Sequence, residues 1–251
     1  MIERIKNLYH YIEDMSKYHF QCFLEKKEQV KTGKDFVLMF HCVSNKVDEW
    51  DDSEYSILSD SFKKMIDRLE EERYVFSTPE DFFSKKGTKK ILITFDDAYR
   101  CVYTEVFPYL KEKHIPFIVF QTVSFLNQDK YLDESMIKDM LKYELFFLGT
   151  HTISHCNLHK CKNYKKEIIE PVKFFKERFG IAPHYFAYPY GAYVTLDLKH
   201  ILCAKKAYKV AFSTCNMSYN KLRCRYLVPR ININESNWLF FASPNIGMKR
   251  T

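Results

Sequence analysis

The sequence Ile-Leu-Ile-Thr-Phe-Asp-Asp, ILITFDD at residues 91–97, joins a short apolar segment to two adjacent carboxylates. An apolar run of this length, rich in branched and aromatic residues, is typical of a buried strand. Similar runs recur along the chain and alternate with segments of helical apolar spacing. The predicted strands lie at 36–40, 91–95, 116–120, 145–148, 185–188, 210–212 and 227–233, and the predicted helices at 100–113, 134–144, 164–179 and 194–206. This alternation predicts an α/β fold with a parallel sheet, either closed into a barrel or left open and doubly wound.

Polar residues that can carry chemistry follow four of these strands directly. Asp96 and Asp97 follow the strand at 91–95, and His151 and His155 follow the strand at 145–148. A Pro-Tyr-Gly corner that contains Tyr190 follows a third strand, and His41 follows the first. In a parallel α/β barrel the carboxyl ends of the strands form the rim that holds the active site. We therefore expect these residues to lie together on one rim.

The acids and histidines of this rim have the chemistry of an open metal site. Each motif alone has an ordinary explanation, because two aspartates often cap a turn or helix and two histidines four apart can be a surface coincidence. Together, Asp97, His151 and His155 form a set of two imidazoles and one carboxylate, which leaves coordination positions for water and substrate. The other carboxylate, Asp96, can then accept a proton. The corner at Tyr190 can aim a main-chain N–H at a developing oxyanion.

Five motifs in order resemble those of the polysaccharide deacetylase family, also called carbohydrate esterase family four. They are TFDD at 94–97, GTHTISHCNL at 149–158, FAYPYG at 186–191, AFST at 211–214 and PRINI at 229–233. The resemblance implies a distorted (β/α) barrel, often of seven parallel strands, and metal-dependent hydrolysis of N-acetyl or O-acetyl groups on sugars. It implies that Asp96 is the general base and that Asp97, His151 and His155 hold the metal. It also implies that Tyr190 donates its backbone N–H to the oxyanion.

The sequence departs from the family pattern at three places. Ala98 stands where glycine commonly follows the two aspartates, and Ala187 stands where many members have an arginine that orients the base. We expect Arg230 to replace that arginine. The C-terminal Leu-x-x-His motif that supplies the general acid in many members is missing. His41 is therefore our candidate for the acid that protonates the leaving amine.

These residues predict a catalytic barrel over residues 35–251 that binds one divalent metal ion. Two imidazoles and a carboxylate favour zinc, although iron, cobalt and nickel fit the same ligands. The predicted reaction removes an N-acetyl group from an amino sugar or a glycan precursor. Two alternatives stay open at this point. One is another amidohydrolase that acts on a small amide with the same scaffold, and the other is a non-catalytic sugar-binding relative.

Composition and the first residues bear on location and partners. Residues 1–34 have apolar side chains at helical spacing and predict an amphipathic N-terminal helix that covers the barrel, forms a dimer contact or touches a membrane surface. Eight cysteines, with no CxxC motif and no signal segment, predict a cytoplasmic protein. The net charge of +7 comes from scattered lysines without a nucleic-acid-binding motif, so we expect no nucleic acid. That charge would attract a sugar joined to a nucleotide or to a lipid diphosphate.

Overall fold

The computed structural model describes residues 34–45, 53–84, 89–192, 195–219 and 224–242. The predicted N-terminal helix over residues 1–34 lies outside these residues except for Lys34, so it stays a prediction. Within the described ranges, no helix combines the length and the apolar composition that crossing a membrane requires.

The described chain forms ten strands, and seven of them follow one another in a parallel sheet. The strands are β1 (Phe36–Phe40), β2 (Cys42–Ser44), β3 (Ser56–Leu58), β4 (Val75–Phe76), β5 (Lys90–Phe95), β6 (Phe117–Gln121), β7 (Phe146–Thr150), β8 (Tyr185–Ala187), β9 (Val210–Phe212) and β10 (Ile231–Asn232). The sheet has the order β10-β1-β5-β6-β7-β8-β9, while β4 adds to β5 and β2 pairs with β3.

One segment connects the two edges of this sheet. Val228 forms a parallel bridge with Phe212 in β9, and Ile231 pairs with Leu38 in β1. Residues 228–232 therefore lie between the first and last strands and bend the sheet towards a ring. The predicted α/β fold, a distorted barrel of seven parallel strands, is confirmed.

Helices follow most of the strands, as the sequence pattern predicts. They are α1 (Ser59–Glu71), α2 (Pro79–Ser84), α3 (Phe107–Glu112), α4 (Glu134–Met140), α5 (Tyr164–Phe179), α6 (Leu198–Ala207) and α7 (Leu239–Ala242). The predicted helix at 100–113 contains a π-helical turn at Val102–Val106 before α3. The predicted helix at 194–206 begins later, because Asp197 and His200 form a capping box that starts α6 at Leu198.

Because side chains alternate along a strand, the buried residues of the sheet form two layers of side chains. One layer packs the outward residues of β1, β5 and β6 against α1. The other layer contains Leu92 and Ile118 together with residues of β8 and β9. Because successive strand residues point to opposite faces, Thr94 and Asp96 continue the face that begins at Leu92. The alternation thus aims the carboxylate of Asp96 into the ring at the end of β5.

Gly149 in β7 is a position where a side chain has no space. A Cβ there would lie 2.4 Å from Cδ1 and 2.6 Å from Cε1 of the Phe120 ring, and 3.1 Å from the carbonyl oxygen of Tyr185. Phe120 is fully buried, and its ring centre lies 5.4 Å from the guanidinium of Arg230. The ring therefore cannot move away from a new methyl group without disturbing its other neighbours.

We expect Gly149→Ala to lower the free energy of unfolding by about 1–3 kcal/mol, because the extra methyl overpacks a filled core. In a Phe120→Leu background the same substitution should cost less, since the smaller side chain frees the space. Chemical denaturation of the wild type, both single variants and the double variant measures this coupling. An equal cost of Gly149→Ala in both backgrounds would show that the Phe120 ring is not the obstacle.

Candidate active site and metal centre

Three strands of the sheet end close to predicted site residues, which therefore lie on one rim. β5 ends directly before Asp96, β7 ends directly before His151, and β8 ends three residues before Tyr190. The backbone turns sharply after each strand, with positive φ angles at Asp97 (63°), Thr152 (67°), His155 (56°) and Tyr190 (51°). Residues other than glycine rarely adopt such angles, and the strain concentrates at functional sites. The rim therefore has the backbone character of a functional site.

The same strain explains the first departure from the family pattern. Ala98 has a φ of 60° and is fully buried. A left-handed backbone favours glycine, and a Cβ there costs about 1–2 kcal/mol. Ala98 thus keeps the turn that a glycine would form at lower cost. The substitution changes the local stability of the loop and leaves the carboxylates of Asp96 and Asp97 in place.

Asp97, His151 and His155 direct one ligand atom each towards a common centre. Asp97 Oδ1 lies 3.2 Å from His155 Nε2 and 3.7 Å from His151 Nε2. The three ligand atoms all lie within 4.8 Å of one another. Two ligands of a tetrahedral zinc ion, each at about 2.1 Å, are about 3.4 Å apart, so the spacing fits one ion. His155 is partly exposed, which leaves a side of the site open to solvent.

His151 is held in the form that a metal ligand needs. Its Nδ1 lies 2.8 Å from the carbonyl oxygen of Ala187. Because a carbonyl only accepts, Nδ1 carries the proton and Nε2 keeps its lone pair towards Asp97. Burial lowers the pKa of His151 to about 3, although the charge of Asp96 acts in the opposite direction. Burial also lowers the pKa of His155, so both imidazoles are neutral at neutral pH.

Glu167 in α5 holds the loop that carries both histidines. Its carboxylate accepts hydrogen bonds from the backbone N–H groups of Ile153 and Ser154, both at 2.9 Å, and from the Ser154 hydroxyl, also at 2.9 Å. At the other side of the loop, the Thr122 hydroxyl donates to the carbonyl oxygen of His151 at 3.0 Å. These contacts fix the strained backbone between the two ligands. The sequence shows Glu167 only as an ordinary acid near a helix start, so the pattern did not reveal this role.

Asp96 forms a buried, bidentate ion pair with Arg230. Arg230 Nη1 lies 2.6 Å from Oδ1, and Nη2 lies 2.7 Å from Oδ2. Arg230 and Asp96 are 0% and 2% exposed. Arg230 also donates from Nε to the carbonyl oxygen of Ser213 at 2.9 Å and from Nη1 to the Thr94 hydroxyl at 3.3 Å. An arginine from the segment that follows β9 thus contacts the predicted base, as expected where Ala187 replaces the usual one.

The ion pair decides the charge of Asp96. Burial by itself raises the pKa of Asp96, but the positive charge of Arg230 overcomes this effect and His151 adds to it, so the pKa lies well below its usual range. The folded-state pKa is therefore below the unfolded value of about 3.9. The pair stabilises the fold above that pH, and the stabilisation is lost as the pH falls through the folded-state pKa. Asp96 is an ionised acceptor at neutral pH.

His41 lies near the carboxylates, but the structure gives it no hydrogen bond to them. Burial lowers the pKa of His41, while the charges of Asp96 and Asp97 act to raise it, which places His41 within electrostatic reach of both. Its Nδ1 is buried without a hydrogen-bond partner among the described residues, and its ring centre lies 4.7 Å from that of Tyr55. The role of His41 as the acid stays a prediction.

Tyr190 lies at the open side of the metal ligands. Its side chain is 56% exposed, and its ring packs edge-on against His155 with centres 5.1 Å apart. The next residue, Gly191, is required by close backbone contacts, since a Cβ there would lie 2.7 Å from the carbonyl oxygen of Tyr188 and 3.2 Å from the backbone nitrogen of Thr214. The backbone of the corner is therefore closely packed. The predicted oxyanion contact of the Tyr190 N–H stays a prediction.

Aromatic side chains that the motifs do not include form a wall beside His155. The Phe125 ring stacks on His155 with centres 5.8 Å apart and on Tyr131 with centres 4.4 Å apart. Tyr99 continues the wall, with its ring centre 5.1 Å from that of Tyr131. These residues come from loops after β5 and β6, and aromatic residues are too common in this chain for their spacing to have indicated the contact.

The chain is similar to proteins named as polysaccharide deacetylases. Residues 84–204 match the family model described as polysaccharide deacetylase. The poly-beta-1,6-N-acetyl-D-glucosamine N-deacetylase of Staphylococcus aureus strain MRSA252 is 27% identical over 201 residues, which cover 72% of this chain and 69% of that protein.

Solved structures show the same fold. IcaB from Ammonifex degensii superposes with a TM-score of 0.73 at 23% identity, covering 87% of this chain and 99% of that one. The polysaccharide deacetylase BC0361 from Bacillus cereus superposes with a TM-score of 0.72 at 21% identity, covering 84% and 69%. The segment that matches the family model contains both aspartates, both histidines and Tyr190, and over this segment the chain is similar to the polysaccharide deacetylases.

Proposed function

We propose that this protein is a metal-dependent hydrolase that removes the N-acetyl group from an amino sugar. The observation that carries the proposal is the placement of an ionised carboxylate, Asp96, beside a three-residue metal set. Asp96 Oδ2 lies 3.9 Å from the Nε2 atom of His151, whose lone pair faces Asp97. A proton acceptor next to an open metal site is the arrangement that amide hydrolysis by water requires. The N-deacetylase activity named for the Staphylococcus aureus relative supports the same reaction.

We propose zinc as the ion that Asp97, His151 and His155 hold. Two neutral imidazoles and one carboxylate are ligands that zinc accepts in catalytic sites, and the distances between their atoms fit a tetrahedral ion. When bound, the ion would supply Lewis acidity, which polarises an amide carbonyl and makes a water molecule easier to deprotonate. The Ala187 carbonyl that orients His151 and the Glu167 carboxylate that holds the loop both preserve this geometry.

Four residues of the chain would carry out the proton transfers and stabilise the oxyanion. Asp96 takes the proton from the attacking water, and Arg230 keeps Asp96 ionised and fixed in direction. The backbone N–H of Tyr190 donates to the oxygen of the acetyl group as negative charge develops there. His41 gives a proton to the sugar nitrogen as the carbon–nitrogen bond breaks. The aromatic wall of Phe125, Tyr131 and Tyr99 offers apolar surface on which a sugar ring can pack.

The substrate that we propose first is a glycan containing β-linked N-acetylglucosamine, since the relative is named for poly-beta-1,6-N-acetyl-D-glucosamine. A second candidate is an N-acetylhexosamine joined to a nucleotide or lipid diphosphate, which the net charge of +7 would attract. The cytoplasmic location expected from the sequence goes with this second candidate, because a cytoplasmic enzyme meets precursors rather than finished polymers. Location and peripheral membrane contact stay predictions.

The first prediction concerns the metal. His151→Ala and Asp97→Asn should each lower the bound zinc by about one ion per chain, because each removes one ligand of a three-ligand set. His159→Ala is the matched control, since His159 continues the histidine spacing and is not in the set. Elemental analysis of zinc-loaded, gel-filtered protein measures the loss. Equal zinc in His151→Ala and His159→Ala would contradict the assignment.

The second prediction separates the two aspartates. Asp96→Asn should keep the zinc but lower the rate of acetate release by a factor on the order of 10² to 10⁴, which is the usual contribution of a general base. Asp97→Asn should lose about one zinc ion per chain together with the activity. Acetate release and metal content are measured on the same samples. If the two variants behave alike in both assays, the division of roles between Asp96 and Asp97 is wrong.

The third prediction concerns His41. His41→Gln keeps a polar side chain of similar length but cannot donate an acidic proton, so kcat should fall by a factor of roughly 10² or more. The metal content should stay at the wild-type level, which serves as the control for folding and for the metal site. A wild-type kcat in His41→Gln would mean that Asp96 itself returns the proton to the leaving amine.

The fourth prediction separates the two substrate candidates. We expect faster deacetylation of β-1,6-linked N-acetylglucosamine oligomers than of a diphosphate-linked N-acetylhexosamine. Rates are compared at low and high salt, because a preference that depends on charge weakens once the Debye length falls from about 30 Å to about 8 Å. Faster turnover of the diphosphate substrate at low salt, shrinking as salt rises, would instead support the second candidate.

A further inference from the structure

A second cluster of metal-binding side chains lies directly behind the catalytic loop. Cys156 follows the ligand His155 in the chain, Cys161 lies just before α5, and Glu167 lies in the first turn of α5. One ligand atom of each lies within 4.8 Å of the other two. All three residues are partly buried, so the cluster is neither a loose surface group nor sealed from solvent.

Glu167 is held rigidly and keeps capacity for a further contact. Its Oε2 atom accepts the N–H groups of Ile153 and Ser154, and among the residues that the structure describes its Oε1 atom accepts only the Ser154 hydroxyl. An ionised carboxylate offers about four lone-pair sites, so three hydrogen bonds leave one free. These bonds fix the direction of Oε1 relative to the two sulfur atoms. The carboxylate therefore belongs to a built cluster and not to a mobile surface side chain.

We propose that Cys156, Cys161 and Glu167 form a second, sulfur-containing metal site that binds a zinc-class divalent ion. Two thiolates and a carboxylate are ligands of zinc, and water completes the tetrahedral set. On binding, two S–H bonds break, two sulfur–metal bonds form, and two protons leave to solvent. The site is chemically distinct from Asp97, His151 and His155, which contain no sulfur.

A comparison within the chain shows why this cluster differs from a simple thiol contact. Cys42 and Cys101 also lie close together, with their sulfur atoms 3.2 Å apart. Both of these cysteines are buried, and no third ligand joins them in the metal-binding clusters found among the described residues. By contrast, Cys156 and Cys161 are partly exposed and have the Glu167 carboxylate beside them. An ion can therefore enter the cluster, where the negative charge of the ligands balances its positive charge.

The location gives the ion a defined structural effect. Binding would tie the residue after His155 to the start of α5, to which the loop is already attached through Glu167. The loop between the two catalytic histidines would then be held at both ends. Occupancy of the second site would therefore stabilise the strained backbone at Thr152 and His155, which have positive φ angles. The ion would act on the geometry of the first site without touching the substrate.

Cobalt(II) added to metal-free, reduced protein tests the proposal, because thiolate ligands give an intense near-ultraviolet sulfur-to-cobalt absorption that imidazole and carboxylate ligands do not give. The wild type should show this band. His151→Ala should keep it, which separates the result from the fate of the proposed catalytic site. The double variant Cys156→Ser/Cys161→Ser should lose it, whereas Cys224→Ser, a partly buried cysteine outside the cluster, should keep it.

Zinc stoichiometry gives a second measurement on the same proteins. Wild type should hold about two zinc ions per chain, and both the double cysteine variant and His151→Ala should hold about one. Wild-type protein that shows no sulfur-to-cobalt band overturns the proposal without depending on the folding of any variant. A band that persists at full intensity in Cys156→Ser/Cys161→Ser overturns it as well, because the thiolates would then come from elsewhere.

Discussion

The buried ion pair between Asp96 and Arg230 is the interaction on which the rest of the site depends. Two charges are removed from water in this pair, which is costly unless both are paired and hydrogen-bonded. The bidentate contact, the carbonyl of Ser213 and the hydroxyl of Thr94 together accept four hydrogen bonds from the guanidinium. Removing one partner of such a pair typically costs about 3–5 kcal/mol, because the other charge stays buried. The pair also joins β5 to the segment that connects the two edges of the sheet.

The barrel directs Asp96 to this place through simple strand geometry. Leu92, Thr94 and Asp96 lie on one face of the chain because side chains alternate along a strand. Arg230 comes from residues 228–232, the segment that pairs towards both β9 and β1. An ionised carboxylate inside the ring and a metal set on the rim are therefore products of the same topology. The positive φ angles at Asp97 and His155 then turn the backbone, so that the metal ligands lie over the end of the sheet.

Much of the fold followed from the sequence, because buried parallel strands appear as continuous apolar runs separated by helical spacing. The polar residues at strand ends were predicted to share one rim for the same reason, and the structure brings Asp97, His151 and His155 together there. The structure departs from the predicted helices where local contacts set the start or the form of a helix. The capping box at Asp197 sets the start of α6, and a π-helical turn precedes α3. Neither feature changes the apolar periodicity from which helices are predicted.

The parts that the sequence did not reveal depend on contacts between distant residues. Glu167 binds backbone atoms more than ten residues away, and nothing in its neighbourhood in the sequence marks it. The same helix turn brings Glu167 to Cys156 and Cys161, whose spacing has no familiar metal-binding pattern. The aromatic wall is similar, since it forms only once the loop that carries Phe125 and Tyr131 meets Tyr99 and His155. Such features need three-dimensional packing before they can be recognised.

The charge state of Asp96 can be measured directly by a carbon-13 NMR titration of the aspartate carboxyl groups in metal-free protein. The Asp96 resonance is assigned by its loss in Asp96→Asn. We predict that this carboxyl group stays ionised well below the ordinary aspartate pKa of about 3.9, and that Arg230→Gln raises its pKa because burial is then unopposed. A wild-type Asp96 that titrates at or above the ordinary value would contradict the central role of its ion pair with Arg230.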